Sequence, residues 1–181
     1  DGFEDGVLYL RQRDNYPIHL QAQMARIFFT QYFPDEVCFV SDIDMFPISK
    51  SFFDAEKIEK MCNKDSFFHL NPERREFGQF PLCYYCGPGS LFSKVVGSDD
   101  WDDFLEKIVN MNFNTDLLNF RLPDHLSGKK LWFSDEIYMH TMTQKLGINI
   151  VPNETLIGHN RIDREQIKNI DYSSLLRQDI V

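Results

Sequence analysis

Residues 37–47 read Val-Cys-Phe-Val-Ser-Asp-Ile-Asp-Met-Phe-Pro. The first four are consecutive apolar or β-prone residues, which predicts a strand buried on both faces, as in the parallel core of an α/β domain. Asp42 and Asp44 follow, and they point to the same side of an extended chain because side chains alternate along it. Ligands of open parallel sheets bind beyond the carboxyl ends of the strands, so these two carboxylates are predicted to lie at a binding site.

The spacing of Asp42 and Asp44 predicts a cation between them. Two adjacent carboxylates raise each other's pKa unless a cation separates them. Oxygen ligands suit Mn²⁺ or Mg²⁺, and such ions commonly carry substrate phosphates as further ligands. The pattern therefore predicts a metal–diphosphate site. An aspartate after a strand also commonly forms a turn, and Pro47 favours a turn nearby, so a structural role for the pair stays open.

Length and composition narrow the class of protein. The 181 residues are most simply one domain, spanning 1–181, that is large enough to bury a core. The net charge is −9 and no Lys/Arg cluster is present, which argues against a nucleic-acid partner. No apolar run approaches roughly 18 residues, and the start lacks the layout of a signal peptide, so no transmembrane segment is predicted.

The four cysteines predict packing rather than chemistry. Cys38 lies in the predicted strand and Cys62 on an apolar helix face, so both are predicted to be core thiols. Cys83 and Cys86 have C-x-x-C spacing, but a second pair is absent and their flanks are strand-like, which favours packing over zinc or redox chemistry. A reducing, cytoplasmic location is expected.

A helix is predicted to begin at Pro17, and it precedes the strand predicted over 37–40. Its predicted buried stripe is Ile18, Ala22, Ala25, Phe29 and Tyr32, and a neighbouring polar stripe is His19, Gln23, Arg26 and Thr30. Arg26 is predicted to lie at the edge of the core, near the strand that carries the aspartates. Either its guanidinium is solvated while its stem packs on the helix, or it reaches a ligand.

The remaining elements follow from local patterns. Strands are predicted at Val7–Leu10, Ser66–Leu70, Leu82–Cys86 and Ile148–Pro152. Helices are predicted from Phe52 to Cys62, from Trp101 to Met111 and from Ser134 to Leu146, with a closing helix over 165–176. The last main helix has Tyr138, Met142 and Leu146 as its predicted apolar face, with Gly147 as its stop. Residues 71–81 are predicted to be a loop, and 112–130 an irregular excursion.

Residues 37–47, preceded by a helix that ends in Ala25-Arg26-Ile27-Phe28, resemble the core of the GT-A-fold nucleotide-sugar glycosyltransferases. The resemblance covers about Pro17 to Phe53, and more loosely Leu82 to Ile162. It implies an α/β, GT-A-like (Rossmann-related) fold with a mostly parallel central sheet flanked by helices. It also implies metal-dependent transfer of a sugar, as by a hexosyltransferase in glycan biosynthesis. The donor would be a nucleotide diphosphate sugar, and the acceptor a hydroxyl of a glycan or glycoprotein.

One feature departs from that family. A GT-A domain normally opens with a strand–helix–strand unit that holds the nucleotide base, and the stretch before Val7 is too short for one. We therefore expect either a domain cut at its front or a different way of holding the base.

The resemblance also implies roles for individual residues. The implied metal ligands are Asp42, Asp44 and His159, and the implied donor-binding residues are Arg26, Ser41, Asp42, Gly87, Asn160 and Arg161, with Arg164 as an alternative to Arg161. Asp135, with Glu136 as the second choice, would meet the acceptor hydroxyl, as general base in an inverting enzyme or to position substrate in a retaining one. Acids in the first turn of a helix also offset its dipole, so a structural role for this pair stays open.

Two other functions fit parts of the pattern. Haloacid-dehalogenase-like phosphatases also place an Asp-x-Asp after a buried strand, but Met45 and Phe46 stand where that family has Thr or Val. A non-catalytic sugar- or protein-binding module on a degenerate transferase fold is the third reading. It predicts no metal-dependent binding of nucleotides.

Overall fold

The computed structural model describes residues 1–42, 56, 62, 65–69, 80, 82, 85–113 and 134–152. The strands are β1 (Gly2–Glu4), β2 (Val7–Tyr9), β3 (Val37–Val40), β4 (Ser66–His69), β5 (Tyr85–Pro88) and β6 (Asn149–Pro152). The helices are α1 (Ile18–Thr30), α2 (Gly89–Val96), α3 (Trp101–Phe113) and α4 (Ser134–Leu146). The architecture is α/β, as the sequence predicts.

The main sheet is mixed rather than mostly parallel. Its strand order is β3-β5-β4-β6; β5 is antiparallel to both of its neighbours, and β4 is parallel to β6. Strands β3, β4 and β6 therefore point the same way, and their carboxyl ends share one edge of the sheet. We call this the carboxyl edge.

The prediction that β3 is buried on both faces is wrong. Val37, Cys38 and Phe39 are only half-buried, and Val40 alone is buried. Within the described part of the chain β3 pairs with β5 alone, which leaves its other edge open. The strand buried along its whole length is β4, which lies between β5 and β6.

The sheet packs on both faces, with side chains alternating along each strand. One face carries Val40, Phe67, Tyr85 and Ile150, which join the main core with buried residues of all four helices. The other face carries Phe68 and Cys86 at the centre of a smaller cluster, with Val37, Phe39, Cys62 and Val151 around them.

Helix α1 begins after Pro17 as predicted, but the predicted buried stripe is wrong. The buried apolar residues are Leu20, Met24, Ile27 and Phe28. Ile18, by contrast, is 65% exposed and Tyr32 37% exposed. Apolar residues occupy two faces of this helix, and the face at Leu20 packs against the other helices. On the predicted face, Ala25 and Phe29 instead line a cavity between α1 and the N-terminal strands.

The N-terminal strands form a hairpin of which only the second strand was predicted. Asp5 and Gly6 form its two-residue loop, and both have positive φ angles, of 50° and 76°. Such a backbone matches the twist of the flanking strands, and Asp-Gly is its preferred sequence. Phe3 anchors the hairpin, because its ring stacks on Tyr32 at 4.9 Å between centroids and meets Phe33 edge-on at 5.4 Å.

Helices α3 and α4 start where the sequence predicts. Asp100 accepts a hydrogen bond from the backbone N–H of Asp103, so Asp100 caps α3. Gly147 follows α4 with a positive φ, as expected of a stop. The predicted apolar face of α4 is only partly right: Tyr138 and Met139 are buried, whereas Leu146 is 44% exposed.

Several sequence predictions lie outside the described residues. These are most of the helix over 52–62, most of the loop over 71–81, the stretch over 114–130 and the closing helix over 165–176; residues 112–113, predicted to be irregular, instead end α3. In the ranges that the structure does describe, no helix is both long and apolar enough to cross a membrane.

The start of α2 depends on the absence of a side chain at Gly89. The Gly89 N–H donates to the carbonyl of Glu36 at 2.8 Å, and a Cβ at this position would collide with the backbone carbonyl of Phe33. The helix therefore begins in close contact with the chain that follows α1.

We expect Gly89→Ala to lower the free energy of unfolding by about 1–3 kcal/mol, because the backbone at Phe33 must move. Helix propensity alone would give the opposite sign, since Ala is favoured over Gly in helices. Urea unfolding measures the change. Gly2→Ala is the control, because nothing lies within 4 Å of a Cβ there. A Gly89→Ala protein as stable as the wild type would contradict this packing.

Candidate functional site

The site is built around Arg26, whose guanidinium joins two carboxylates from distant parts of the chain. Its Nη1 donates to Oδ1 of Asp42 at 2.5 Å. Its Nε donates to Oδ2 of Asp135 at 3.0 Å, and its Nη2 donates to the same oxygen. The Arg26 side chain is 22% exposed. The alternative of a free, solvated guanidinium is therefore wrong, and we call these three residues the Arg26 bridge.

The topology explains why these three side chains meet. Asp42 follows β3, so it lies at the carboxyl edge. Helix α4 leads into β6 through a short turn and so runs back across the sheet; it begins with Ser134 and Asp135 near the edge where β6 ends. Helix α1 packs between β3 and α4 and places Arg26 toward both. Two consecutive elements, α1 and β3, and the distant helix α4 thus converge on one guanidinium.

Asp135 is the buried member of the bridge. Its side chain is 1% exposed, and its Oδ1 accepts the backbone N–H of Glu136 at 2.9 Å. Burial raises the pKa of Asp135, and the charge and hydrogen bonds of Arg26 oppose that rise. Burial also acts to lower the pKa of Arg26, but the two carboxylates outweigh it, and the pKa of this guanidinium is raised. Arg26 is therefore charged throughout the ordinary pH range.

Glu136, next to Asp135 in the chain, differs from it in its pKa. Burial, followed by the repulsion of Asp135, raises its pKa from 4.5 to about 8, although Arg26 and the backbone N–H of Leu82 favour the charged form. A carboxyl group with a pKa near neutrality can both take up and release a proton at physiological pH. Of the two acids predicted at the start of α4, Glu136 has the pKa suited to proton transfer, and Asp135 the contacts suited to holding Arg26.

A cavity of about 760 Å³ runs along β3 beside the bridge. Among the described residues, the cavity lies between the β1–β2 hairpin, α1 and β3, and Arg26 and Ser41 line it. Its remaining walls are mostly apolar, with Leu8, Leu10, Phe29 and Val40 among them. The side chain of Asp42 is 41% exposed, so its carboxylate is accessible to a ligand.

The predicted placement of Gly87 is wrong. The sequence predicts that the strand ends at Cys86, but β5 runs from Tyr85 to Pro88, and Gly87 pairs with Cys38 inside the sheet. Because β5 is antiparallel to β3, Gly87 lies back from Asp42 by about four residues of strand, or about 13 Å. A Cβ at Gly87 would collide with the ring of Phe67, so the glycine is explained by packing.

The other predicted site residues, Asp44, His159, Asn160, Arg161 and Arg164, lie outside the described residues. Among the residues that are described, no group of three or more His, Cys, Asp or Glu side chains could hold a metal ion. The sequence reasoning also missed His69, which ends β4 at the carboxyl edge and is fully buried between the rings of Tyr85 and Phe80. A histidine that closes an apolar strand was the available signal.

Comparison of the chain with protein-family models, curated proteins and solved structures gives no significant match.

Removing the cation of the bridge tests its energetic role. We expect Arg26→Met to lower the free energy of unfolding by about 3–5 kcal/mol, because the buried carboxyl of Asp135 would lose the cation that compensates its burial. A double variant, Arg26→Met with Asp135→Asn, should recover part of that loss. Chemical denaturation of the single and double variants measures the coupling.

Arg13→Met is the matched control for that series. Arg13 also joins two carboxylates, but those of Asp1 and Asp102 are 30% and 56% exposed, so its loss should matter less. Equal losses of stability in the two arginine variants would contradict the special role of Arg26.

The raised pKa of Glu136 predicts a pH-dependent stability. The folded state holds this proton more tightly than the unfolded state, so stability falls as the pH rises from about 4.5 to about 8. Glu136→Gln removes that term, and its Tm relative to wild type should rise between pH 5 and pH 9, by roughly 2–4 °C for each kcal/mol. Thermal melts across pH measure it. Exposed Glu106, as Glu106→Gln, is the control, and a parallel response of both variants would contradict the shift.

Proposed function

We propose that this chain is a metal-dependent glycosyltransferase of the GT-A type, which moves a sugar from a nucleotide diphosphate sugar to a hydroxyl of a glycan or protein-linked acceptor. The observation that carries the proposal is the Arg26 bridge. It gathers a cation from the helix before β3, the first aspartate of Asp-x-Asp and the carboxylate that opens α4. The family resemblance assigns these residues to the donor, the metal and the acceptor, and their proximity supports that assignment.

The order of the elements supports the same reading. A helix carrying Arg26 leads into β3, and the aspartate follows β3 at the edge where β4 and β6 also end. In open α/β sheets, ligands bind beyond the carboxyl ends of the strands. A ligand there would meet Arg26 and Asp42 together.

The cavity beside β3 supports a donor site. Its volume of about 760 Å³ lies in the range of small-molecule pockets. The nucleoside would occupy its apolar part against Leu8 and Phe29, and the diphosphate would lie toward Arg26 and Ser41. A guanidinium has five N–H donors, and the bonds to Asp42 and Asp135 engage three of its nitrogens through one hydrogen each. Among the described contacts, two further N–H donors of Arg26 thus remain for a phosphate oxygen.

The metal is proposed from the chemistry of the Asp-x-Asp pattern. Asp42 offers an exposed oxygen ligand in the described part of the site, while Asp44 and His159, the other two proposed ligands, lie outside it. Carboxylate oxygens suit Mn²⁺ or Mg²⁺. Such an ion would offset the negative charge of the donor diphosphate.

The proton of the acceptor hydroxyl is assigned to Glu136. Asp135 is almost fully buried and both of its oxygens accept hydrogen bonds, so its proposed role is to position Arg26. Glu136 is only partly buried, and its pKa of about 8 suits a group that exchanges protons near neutrality. This reverses the order of preference between the two acids that the sequence suggested.

Binding and transfer can be tested separately. A thermal-shift screen of nucleoside diphosphates with and without Mn²⁺ should show stabilisation that needs both, about 2.7 kcal/mol at a ligand concentration of 100 times Kd. Asp42→Asn and Asp44→Ala should abolish it. Glu136→Gln should retain binding and slow sugar transfer about 10²- to 10⁴-fold. Nucleoside diphosphate release from a panel of sugar donors measures turnover.

The same experiments separate the alternatives. Nucleotide binding of the same strength without Mn²⁺ and in both aspartate variants would contradict the proposal. Hydrolysis of a phosphomonoester without any nucleotide sugar would favour the phosphatase, with Asp42 as nucleophile. Binding of glycans with no metal-dependent nucleotide binding would favour a non-catalytic sugar-binding module.

A further inference from the structure

Two thiols lie in contact on the sheet face opposite the main core. The Sγ atoms of Cys62 and Cys86 are 3.4 Å apart. Cys86, in β5, is fully buried, whereas Cys62 is only half-buried. Both belong to the smaller apolar cluster around Phe68. A disulfide requires about 2.05 Å between the sulfurs, so closing this pair needs a movement of only about 1.4 Å.

The two thiols are chemically unequal. The hydrogen bond from Cys86 lowers the pKa of Cys62, against the opposing effect of burial. The same hydrogen bond and burial raise the pKa of Cys86. The more exposed thiol is therefore the one that more readily forms a thiolate, the nucleophile in thiol–disulfide exchange. The buried thiol is placed to attack next.

Cys38 shows what an ordinary packed thiol looks like in the same sheet. It lies on β3, on the side of the main core, and its Sγ–H donates to the carbonyl of Thr30 at 3.6 Å. Burial, and to a lesser degree Glu36, raises its pKa to about 11. Cys38 thus packs against the main core although it is only half-buried, whereas Cys62 and Cys86 have a sulfur for a neighbour.

We propose that Cys62 and Cys86 are a redox-reactive dithiol, which a small-molecule disulfide such as oxidised glutathione converts to an intramolecular disulfide. The Cys62 thiolate attacks one sulfur of the glutathione disulfide, forming a mixed disulfide and releasing one glutathione thiolate. Cys86 then attacks the Cys62 sulfur, the protein disulfide forms and the second glutathione leaves. Two protein thiols are oxidised and one disulfide is reduced to two glutathione thiols, which carry away the two protons.

The new bond would link Cys62 to β5 and close a loop of the chain that includes β4. It spans residues 62–86, and cross-links over loops of this size stabilise mainly by restricting the unfolded chain. The oxidised protein should therefore melt at a higher temperature, by roughly 5–10 °C. In a reducing compartment the pair would be dithiol, and it would close as the glutathione pool becomes oxidised.

The test uses the full chain, reduced and then equilibrated in buffers of graded glutathione disulfide to glutathione ratio. Alkylation, non-reducing digestion and mass spectrometry should recover a peptide linking Cys62 to Cys86, with the higher Tm in the same samples. Cys38→Ser and Cys83→Ser should form the same link; Cys83 lies outside the described residues, so its variant excludes a C-x-x-C bond. Cys86→Ala should instead trap glutathione on Cys62.

The outcomes that overturn the proposal are equally defined. One is a wild-type protein in which glutathione modifies Cys62 but no link to Cys86 forms. Another is a link from Cys83 to either partner in place of the expected one. Because both are read from the wild-type chain, they do not depend on any cysteine variant folding.

Discussion

The guanidinium of Arg26 holds two carboxylates, of Asp42 and Asp135, that the fold brings together from distant positions in the chain. One of them, on Asp135, is almost wholly removed from water, and a charge in that position is very unfavourable unless it is paired and hydrogen-bonded. Arg26 meets that requirement with two of its nitrogens and still reaches Asp42 with the third. The arrangement constrains three elements at once, because α1, the end of β3 and the start of α4 must all approach the same group.

Strand direction determines which residues can join that group. Because β3, β4 and β6 share one direction, whatever follows them lies at the carboxyl edge, and the helix that leads into β6 begins there. The reversed strand β5 sends its own carboxyl end to the opposite edge, which separates Gly87 from Asp42. At the carboxyl edge, His69 is buried beside Tyr85. The polar chemistry is thus concentrated where three strands end.

The apolar side chains of α1 do not fill the space beside Arg26, and a cavity remains there. Helix α1 has apolar residues on two sides; Leu20 and Ile27 pack in the main core, while Ala25 and Phe29 face the cavity along β3. The N-terminal hairpin covers the far side of this cavity through the ring contacts of Phe3. An apolar space that is also lined by Arg26 and Ser41 is suited to a ligand with an apolar body and an anionic group.

Local patterns in the sequence determined the α/β class of the fold and most element positions, among them the strand over 37–40 and the starts of α1, α3 and α4. Such features depend on residues near one another in the chain, through periodicity, turn residues and helix dipoles. Only the tertiary structure decided the reversal of β5, the buried side of α1, the displacement of Gly87 and the contact of Cys62 with Cys86. Each of these features depends on which distant element packs against the residue in question. Helix α1 has two faces of similar apolarity, so its local sequence does not indicate which face is buried.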